Sequence, residues 1–437
     1  MQVQEAPPLP DSLSDDFDVE GQAGGIEAYR LKENDLQVLL LEQAAAPVAT
    51  FMVTYHVGSR NEHAGRTGAT HFLEHLMFKG TERFNERDGT SIFNTLQRVG
   101  ANVNASTWLD RTNYYELLPK EHLPLAIEIE ADRMRGALLR EDDLESERSV
   151  ILNELDRGKN EPMRNLFEAV WASAFTAHPY RHPTIGWRSD VENATQESLQ
   201  HFYDTFYWPN HATACVIGDF DKEEALGQVS EHFGAVERAP HAIPEVETRE
   251  PEQRGERRTT VRQAGQLGAL MAAYKSPPAM DEDTDALDVL SSILTSGKNS
   301  RLFRRLTDQG LTTQLSSAAA RLRDPGLFYI FAALAPERSH EEVEEVMFEA
   351  IAEIQEDGVS EEEVQRAKSE LTAQEKFGRD GSFSVAAQLN EAIAAGDWCL
   401  YAEYVDRIRA VSPGDVQRAA RQYLTEDQRT VGRYVPT

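Results

Sequence analysis

Two stretches of this chain repeat two others at nearly one offset, and that limits the folds open to it. Residues 195–213 can be laid on 412–430, with Leu199 on Val416, Phe206 on Tyr423 and Asn210 on Asp427, each pair 217 positions apart. The stretch 48–55, Val-Ala-Thr-Phe-Met-Val-Thr-Tyr, falls on 267–274, Leu-Gly-Ala-Leu-Met-Ala-Ala-Tyr, 219 positions on. A period near 220 far exceeds the roughly 20–50 residues of stacked repeats, so each copy must bury a core of its own and two related domains are expected. In both copies a Ser or Thr (Thr195, Ser412) opens an amphipathic helix, and a short strand follows at 212–217 or 430–435. Between Ala235 and Glu256, Pro240, Pro244 and Pro251 stand among alternating charges with little to bury, which reads as an extended linker. The expected layout is an N-terminal domain over 1–235, a linker over 236–258 and a homologous C-terminal domain over 259–437.

Strands and helices mix within each copy. Apolar periodicity predicts strands over 29–41, 48–57, 101–108, 112–118, 313–322 and 326–334, and helices over 70–78, 121–135 and 142–156. Ser339 caps a further helix, whose Val343, Met347, Ala350 and Ile354 keep helical spacing. Neighbouring strands joined by short connections, with helices gathered between them, favour an α+β fold, each domain a mostly antiparallel sheet packed with helices. No glycine-rich phosphate loop and no G-x-S-x-G elbow occurs.

Charge removes several function classes. The formal net charge is −30, so phosphate is repelled over most of the surface and neither nucleic acid nor an anionic membrane is an expected partner. No apolar run reaches the roughly 18 residues of a membrane span, and Met1–Glu20 holds acids and three prolines but no apolar core of a secretory signal. Two cysteines, Cys215 and Cys399, give no reason for a disulfide. With nine lysines among 44 basic residues, the acidic, lysine-poor surface suits a salt-rich cytoplasm, with the periplasm as the alternative if a signal is removed.

The segment that carries chemistry is Gly68-Ala-Thr-His71-Phe-Leu-Glu74-His75-Leu-Met-Phe-Lys-Gly80. On a helix His71 and His75 stand one turn apart and offer two imidazoles to one metal, while Phe72, Leu73, Leu76 and Met77 supply packing. Glu74 beside them can take a proton from a water without being spent as a ligand. Downstream, Glu147 and Glu154 lie two helical turns apart on one face, opposite Val150, Ile151 and Leu155, and this pair can supply the carboxylate of a two-histidine, one-glutamate zinc site. By itself that face also reads as a solvated acidic surface.

His71-x-x-Glu74-His75 followed by Glu147-x6-Glu154 resembles the inverzincin peptidases, the family of pitrilysin, insulysin and the mitochondrial processing peptidase. Val57-Gly-Ser-Arg60-Asn-Glu62, Phe78-Lys-Gly-Thr81, Asn104-Ala105-Ser-Thr107 and His178-Pro-Tyr-Arg-His182-Pro-Thr-Ile-Gly186 are similar to family segments as well. The resemblance implies His71, His75 and Glu154 as ligands of one zinc per chain, Glu74 as general base, and Glu147 as the carboxylate that orients a histidine ligand. It implies that Asn104 and Ala105 lie on an edge strand that binds peptide by backbone pairing. His178 and His182, flanking Pro179 and Pro183, read as structural. At an offset of 217 the three motif residues fall on Asp288, Ser291 and Ser292, so the second copy holds no metal site.

The expected function is therefore a zinc-dependent endopeptidase acting on peptides or unfolded segments. The alternatives are a catalytically silent structural subunit of the same family and a zinc-binding module without hydrolysis. The family's two half-enzymes facing across a chamber imply self-association or a partner chain. Many members carry an arginine and, seven residues later, a tyrosine that contact substrate; here Thr313 takes the tyrosine position, with Arg304 and Arg305 out of step. A heterodimer with a related subunit that supplies the Arg/Tyr pair is expected, with a homodimer as the alternative.

Overall fold

Seven strands form the first of two β-sheets in a computed structural model of the chain, which describes residues 4, 6, 7, 9, 10 and 12–437. Part of Met1–Glu20, in which no secretory signal is read, lies outside the described residues. The strands are β1 (Phe17–Ala23), β2 (Ile26–Leu31), β3 (Gln37–Glu42), β4 (Val48–Tyr55), β5 (Asn102–Thr107), β6 (Thr112–Pro119) and β7 (Ala212–Gly218). Their order is β1-β2-β3-β7-β4-β6-β5, antiparallel throughout except β3 against β7. The nearly uninterrupted apolar runs of β4 and β7 take the centre, where both faces are covered. At the edge, β5 alternates exposed and half-buried residues, as a strand with one open face does.

The second sheet holds β8 (Arg257–Gln263), β9 (Ala269–Lys275), β10 (Thr312–Ala319), β11 (Leu327–Leu334) and β12 (Arg429–Pro436), in the order β10-β11-β9-β12-β8. This repeats β5-β6-β4-β7-β3 of the first sheet, including the single parallel pair, here β12 with β8. Register repeats too: Met52 faces Cys215 across β4 and β7, and Met271 faces Gly432 across β9 and β12. Those partners are related by the offsets of 219 and 217, so the sequence repeat is a repeat of strand pairing. Thr195, Ser339 and Ser412 each open a helix with a reciprocal capping box. Among the described residues no helix is long and apolar enough to cross a membrane.

Two expectations need correction. The run 29–41, expected as one strand, is the hairpin β2–β3, because Lys32 to Asp35 turn the chain, with Asp35 at φ 63°. Buried Asn34 fixes the turn by donating to the Phe233 and Val236 carbonyls at 2.7 and 2.8 Å. The compact units also depart from the contiguous spans 1–235 and 259–437. One unit comprises the described part of Met1–Glu154 with Pro183–Glu247 and Gly378–Glu403; the other comprises Leu155–His182, Thr248–Phe377 and Tyr404–Thr437. Between Phe233 and Arg257, a stretch that includes most of the expected linker, there is neither helix nor strand.

Among the helices of the first unit are α1 (Ala69–Leu76), α2 (Ile92–Arg98), α3 (Leu123–Gly136) and α4 (Glu141–Gly158), whose last turn passes into the other unit. The helix Ser382–Ala395 packs on β4, β6 and β7 of this unit. Thr50 and Thr54, on one face of β4, donate to Ser382 Oγ and Asn390 Oδ1 at 2.9 and 2.7 Å, so these buried hydroxyls are satisfied. In the second unit α5 (Pro162–Ala174) lies against β8, β9 and β12. Each sheet is thus covered by a helix from the other half of the sequence.

Gly432 makes room for α5. A Cβ there overlaps Val170 Cγ2 and comes within 2.9 Å of Leu166 Cδ1, both on α5. Gly432→Ala is expected to lower stability by about 1–3 kcal/mol through overpacking, read as a lower urea midpoint; an unchanged midpoint contradicts this packing.

Candidate metal centre

The loop ahead of α1 is anchored before the helix begins. Buried Glu62 accepts the Gly68 and Thr70 N–H groups, both at 2.8 Å, meeting amides that a helix start otherwise leaves unpaired. Burial pushes its carboxyl up to about 8 against the pull of those bonds. Asp190 Oδ2 takes the Gly65 and Thr67 N–H groups and the Thr67 hydroxyl, at 3.1, 3.1 and 2.7 Å. From this base α1 buries Phe72, Leu73 and Leu76, leaving the i, i+4 histidines side by side, their ring centroids 4.8 Å apart.

The carboxylates come from α4. Glu154 Oε2 lies 3.6 Å from His71 Nε2 and 4.0 Å from His75 Nε2. One turn pair earlier on the same face, Glu147 Oε2 is 2.8 Å from His75 Nδ1, and its Oε1 is 2.5 Å from Lys79 Nζ. An ionised carboxylate only accepts, so the His75 proton sits on Nδ1 and the Nε2 lone pair faces Glu154. Burial alone raises the Glu147 carboxyl, but His75 and Lys79 outweigh it and hold it below the usual carboxylate range. For His75 burial works the other way and lowers its pKa, yet Glu147 prevails and raises it.

The donor set fits zinc. One nitrogen each from His71 and His75 and one oxygen from Glu154 lie within 4.8 Å of one another, the one cluster of this kind among the described residues. Donors about 2.0–2.1 Å from a tetrahedral zinc are separated by about 3.4 Å, so these side chains close on an ion of that size with small adjustment. Two imidazoles and one carboxylate leave a fourth position for water or substrate.

Glu74 is turned toward β5, where Thr107 Oγ1 donates to its Oε2. Burial raises the Glu74 carboxyl; the Thr107 bond and the neighbouring His75 oppose that, and the Glu154 charge adds to it. Asn104 and Ala105 lie on the same edge strand, and Asn104 Oδ1 accepts the Ala105 N–H at 2.9 Å. His178 and His182 are not members of this cluster; both are buried in the second unit, where His178 pairs with Asp324 at 3.2 Å and accepts the Tyr180 N–H. The helix Glu282–Thr295 occupies the corresponding place in the repeat. Its Asp288 binds Arg321 at 2.6 Å, Ser291 donates to the Ser317 carbonyl and Ser292 to Glu370.

Sequence reasoning missed Lys79, Thr107, Glu62 and Asp190 as parts of this arrangement. The first three stand in the segments Phe78–Thr81, Asn104–Thr107 and Val57–Glu62, but their partners are distant or main-chain groups that a linear pattern does not reveal.

Known proteins resemble this chain along most of its length. Residues 37–187 match the family model described as Insulinase (Peptidase family M16), and residues 193–371 match the Peptidase M16 inactive domain. The chain is similar to the zinc protease PqqE of Helicobacter pylori, 29% identical over 92% of this chain and 91% of that protein. It is similar to an uncharacterized zinc protease of Mycobacterium leprae, 30% identical over 90% and 88% of the two chains. A crystal structure of a protease from Helicobacter pylori superposes with a TM-score of 0.89 at 28% identity, covering 95% of this chain and all of that one.

Because metal binds only the neutral imidazole, the raised His75 pKa sets the expected acid limit. Apparent zinc affinity should begin to fall, on acidification, above the pH at which an ordinary histidine protonates. Glu147→Gln should shift that limit downward and weaken zinc about 10–100-fold, measured by competition with a chromophoric chelator; unchanged affinity contradicts the role of Glu147.

Proposed function

The chain belongs to the insulinase family, peptidase family M16, and from that premise we propose that it is a zinc-dependent endopeptidase acting on peptides or unfolded segments. In this reading one zinc is held by His71, His75 and Glu154, with Glu74 as general base and Glu147 orienting His75. The observation that carries it is the convergence of the two Nε2 atoms and the Glu154 carboxylate beside the half-buried Glu74.

Bound there, zinc supplies a Lewis acid that polarises a peptide carbonyl and acidifies a water. The work of the chain's own residues follows from their positions. Glu74, its carboxyl raised by burial, takes a proton from the attacking water and delivers it to the departing amine. His75 keeps its Nε2 available because Glu147 holds Nδ1, and Lys79 holds Glu147. Substrate pairs with β5, the open edge of its sheet, and takes the Ala105 N–H over from the Asn104 side chain. The inactive-domain match falls on the half without metal ligands and so does not bear on α1.

A related partner subunit belongs to the same proposal. Thr313 stands at the start of β10 with its hydroxyl 3.4 Å from the Ala333 carbonyl, and Arg305 is bound to Glu353. Neither supplies a long hydrogen-bonding arm to a substrate, which supports a heterodimer in which the partner brings the Arg/Tyr pair. The acidic, lysine-poor composition supports a cytoplasmic location.

Glu74→Gln should retain zinc and lose peptide turnover by about 100-fold or more, since the amide keeps the shape and cannot accept the proton. Near wild-type turnover excludes Glu74 as the base, and a wild-type chain inert alone and with its related subunit is the silent structural member. An equimolar mixture with a relative that carries the Arg/Tyr pair should exceed the turnover of this chain alone; no gain contradicts the heterodimer.

A further inference from the structure

We propose that Thr107 is a positioning residue that fastens Glu74 to the substrate-pairing edge strand, an inference that rests on reading Glu74 as the general base. Thr107 is the last residue of β5, and the strand's alternation puts it on the half-buried face with Val103 and Ala105, while Asn102, Asn104 and Ser106 are exposed. On that side Val103 packs with Ile92 and Leu96 of α2, and α1 lies against the same strand.

The end of β5 is rigid. Thr107 pairs with Thr112 of β6, whose buried hydroxyl donates to the Val57 carbonyl at 3.0 Å. The connecting turn is held by Trp108 N–H to Arg111 O at 2.9 Å, and by Ser59 and Arg60 N–H to the Trp108 and Leu109 carbonyls at 3.1 and 2.8 Å. Threonine is stiff at χ1, so a hydroxyl on this strand end has few directions open to it, and the one adopted donates to Glu74 Oε2. A hydroxyl proton given to this half-buried carboxylate stabilises its ionised form and fixes its plane, leaving Oε1 to receive the proton from water. One strand then both pairs with the peptide and aims the base, so base and peptide share one frame.

The test compares Thr107→Val, which keeps the shape without the donor, with Thr107→Ser, which keeps the donor. In the active assembly Val should retain zinc content, thermal midpoint and KM while kcat falls about 10–100-fold, the loss of one hydrogen bond to a charged group, and Ser should restore kcat. Independently of activity, the carboxylate infrared band of Glu74, isolated by subtracting the Glu74→Gln spectrum, should shift in Val and return in Ser. An unchanged band together with unchanged kcat overturns the proposal. Loss of zinc or midpoint in both variants overturns it in favour of a purely structural threonine. If the wild type hydrolyses nothing, the reading of Glu74 as base fails, while the infrared comparison still decides whether Thr107 holds it.

Discussion

The hydrogen bond from His75 Nδ1 to Glu147 Oε2, 2.8 Å long, decides what the proposed metal centre is able to do. A neutral histidine carries its proton on one of two ring nitrogens, and the partner it meets sets which one. The carboxylate of Glu147 fixes the proton on Nδ1, and Lys79 keeps that carboxylate in place from its other oxygen. The Nε2 atom is thereby left facing Glu154, two turns further along α4. The spacing of Glu147 and Glu154 matters for the same reason: only two whole turns put one carboxylate behind the imidazole and the other in front of it. The anchoring of α1 by Glu62 and Asp190 supports this arrangement from the other end of the helix.

The duplication explains why one half gathers the candidate ligands and the other does not. Both sheets share a strand order and a register, so the helix Glu282–Thr295 has the scaffold position of α1. In place of imidazoles it presents Asp288, bound to Arg321, and two serines whose hydroxyls are spent on Ser317 and Glu370. Arg321 and Arg407 also pair with Asp285. Each of these carboxylates already has a cationic partner within its own unit, and among the described residues no imidazole stands beside them.

Most strands and helices were legible because their apolar periodicities are strong, and the boundaries of β4, β6 and α4 fall within two residues of those expected. The convergence of His71, His75 and Glu154 was legible too, since i, i+4 histidines and carboxylates seven apart are local helical facts. The β2–β3 turn was hidden because the residues on both sides of it are apolar strand formers and its fixing contact is Asn34 with carbonyls near residue 235. The exchange of α5 and of the helix Ser382–Ala395 between halves was hidden for a different reason. An amphipathic pattern specifies that a helix covers a sheet, not which sheet, and the deciding details are a glycine at 432 and hydroxyls at Thr50 and Thr54. Lys79 and Thr107 were invisible as roles because their partners lie 68 and 33 positions away.

The central claim is that His71, His75 and Glu154 form one zinc site of open coordination. X-ray diffraction from zinc-loaded crystals, with data on both sides of the zinc absorption edge, tests it most directly. The expected result is a single anomalous peak per chain, about 2.0–2.2 Å from His71 Nε2, His75 Nε2 and a Glu154 oxygen, with a water or substrate atom as the remaining neighbour. A zinc-loaded crystal with no peak there, or with the peak held by other side chains, contradicts it.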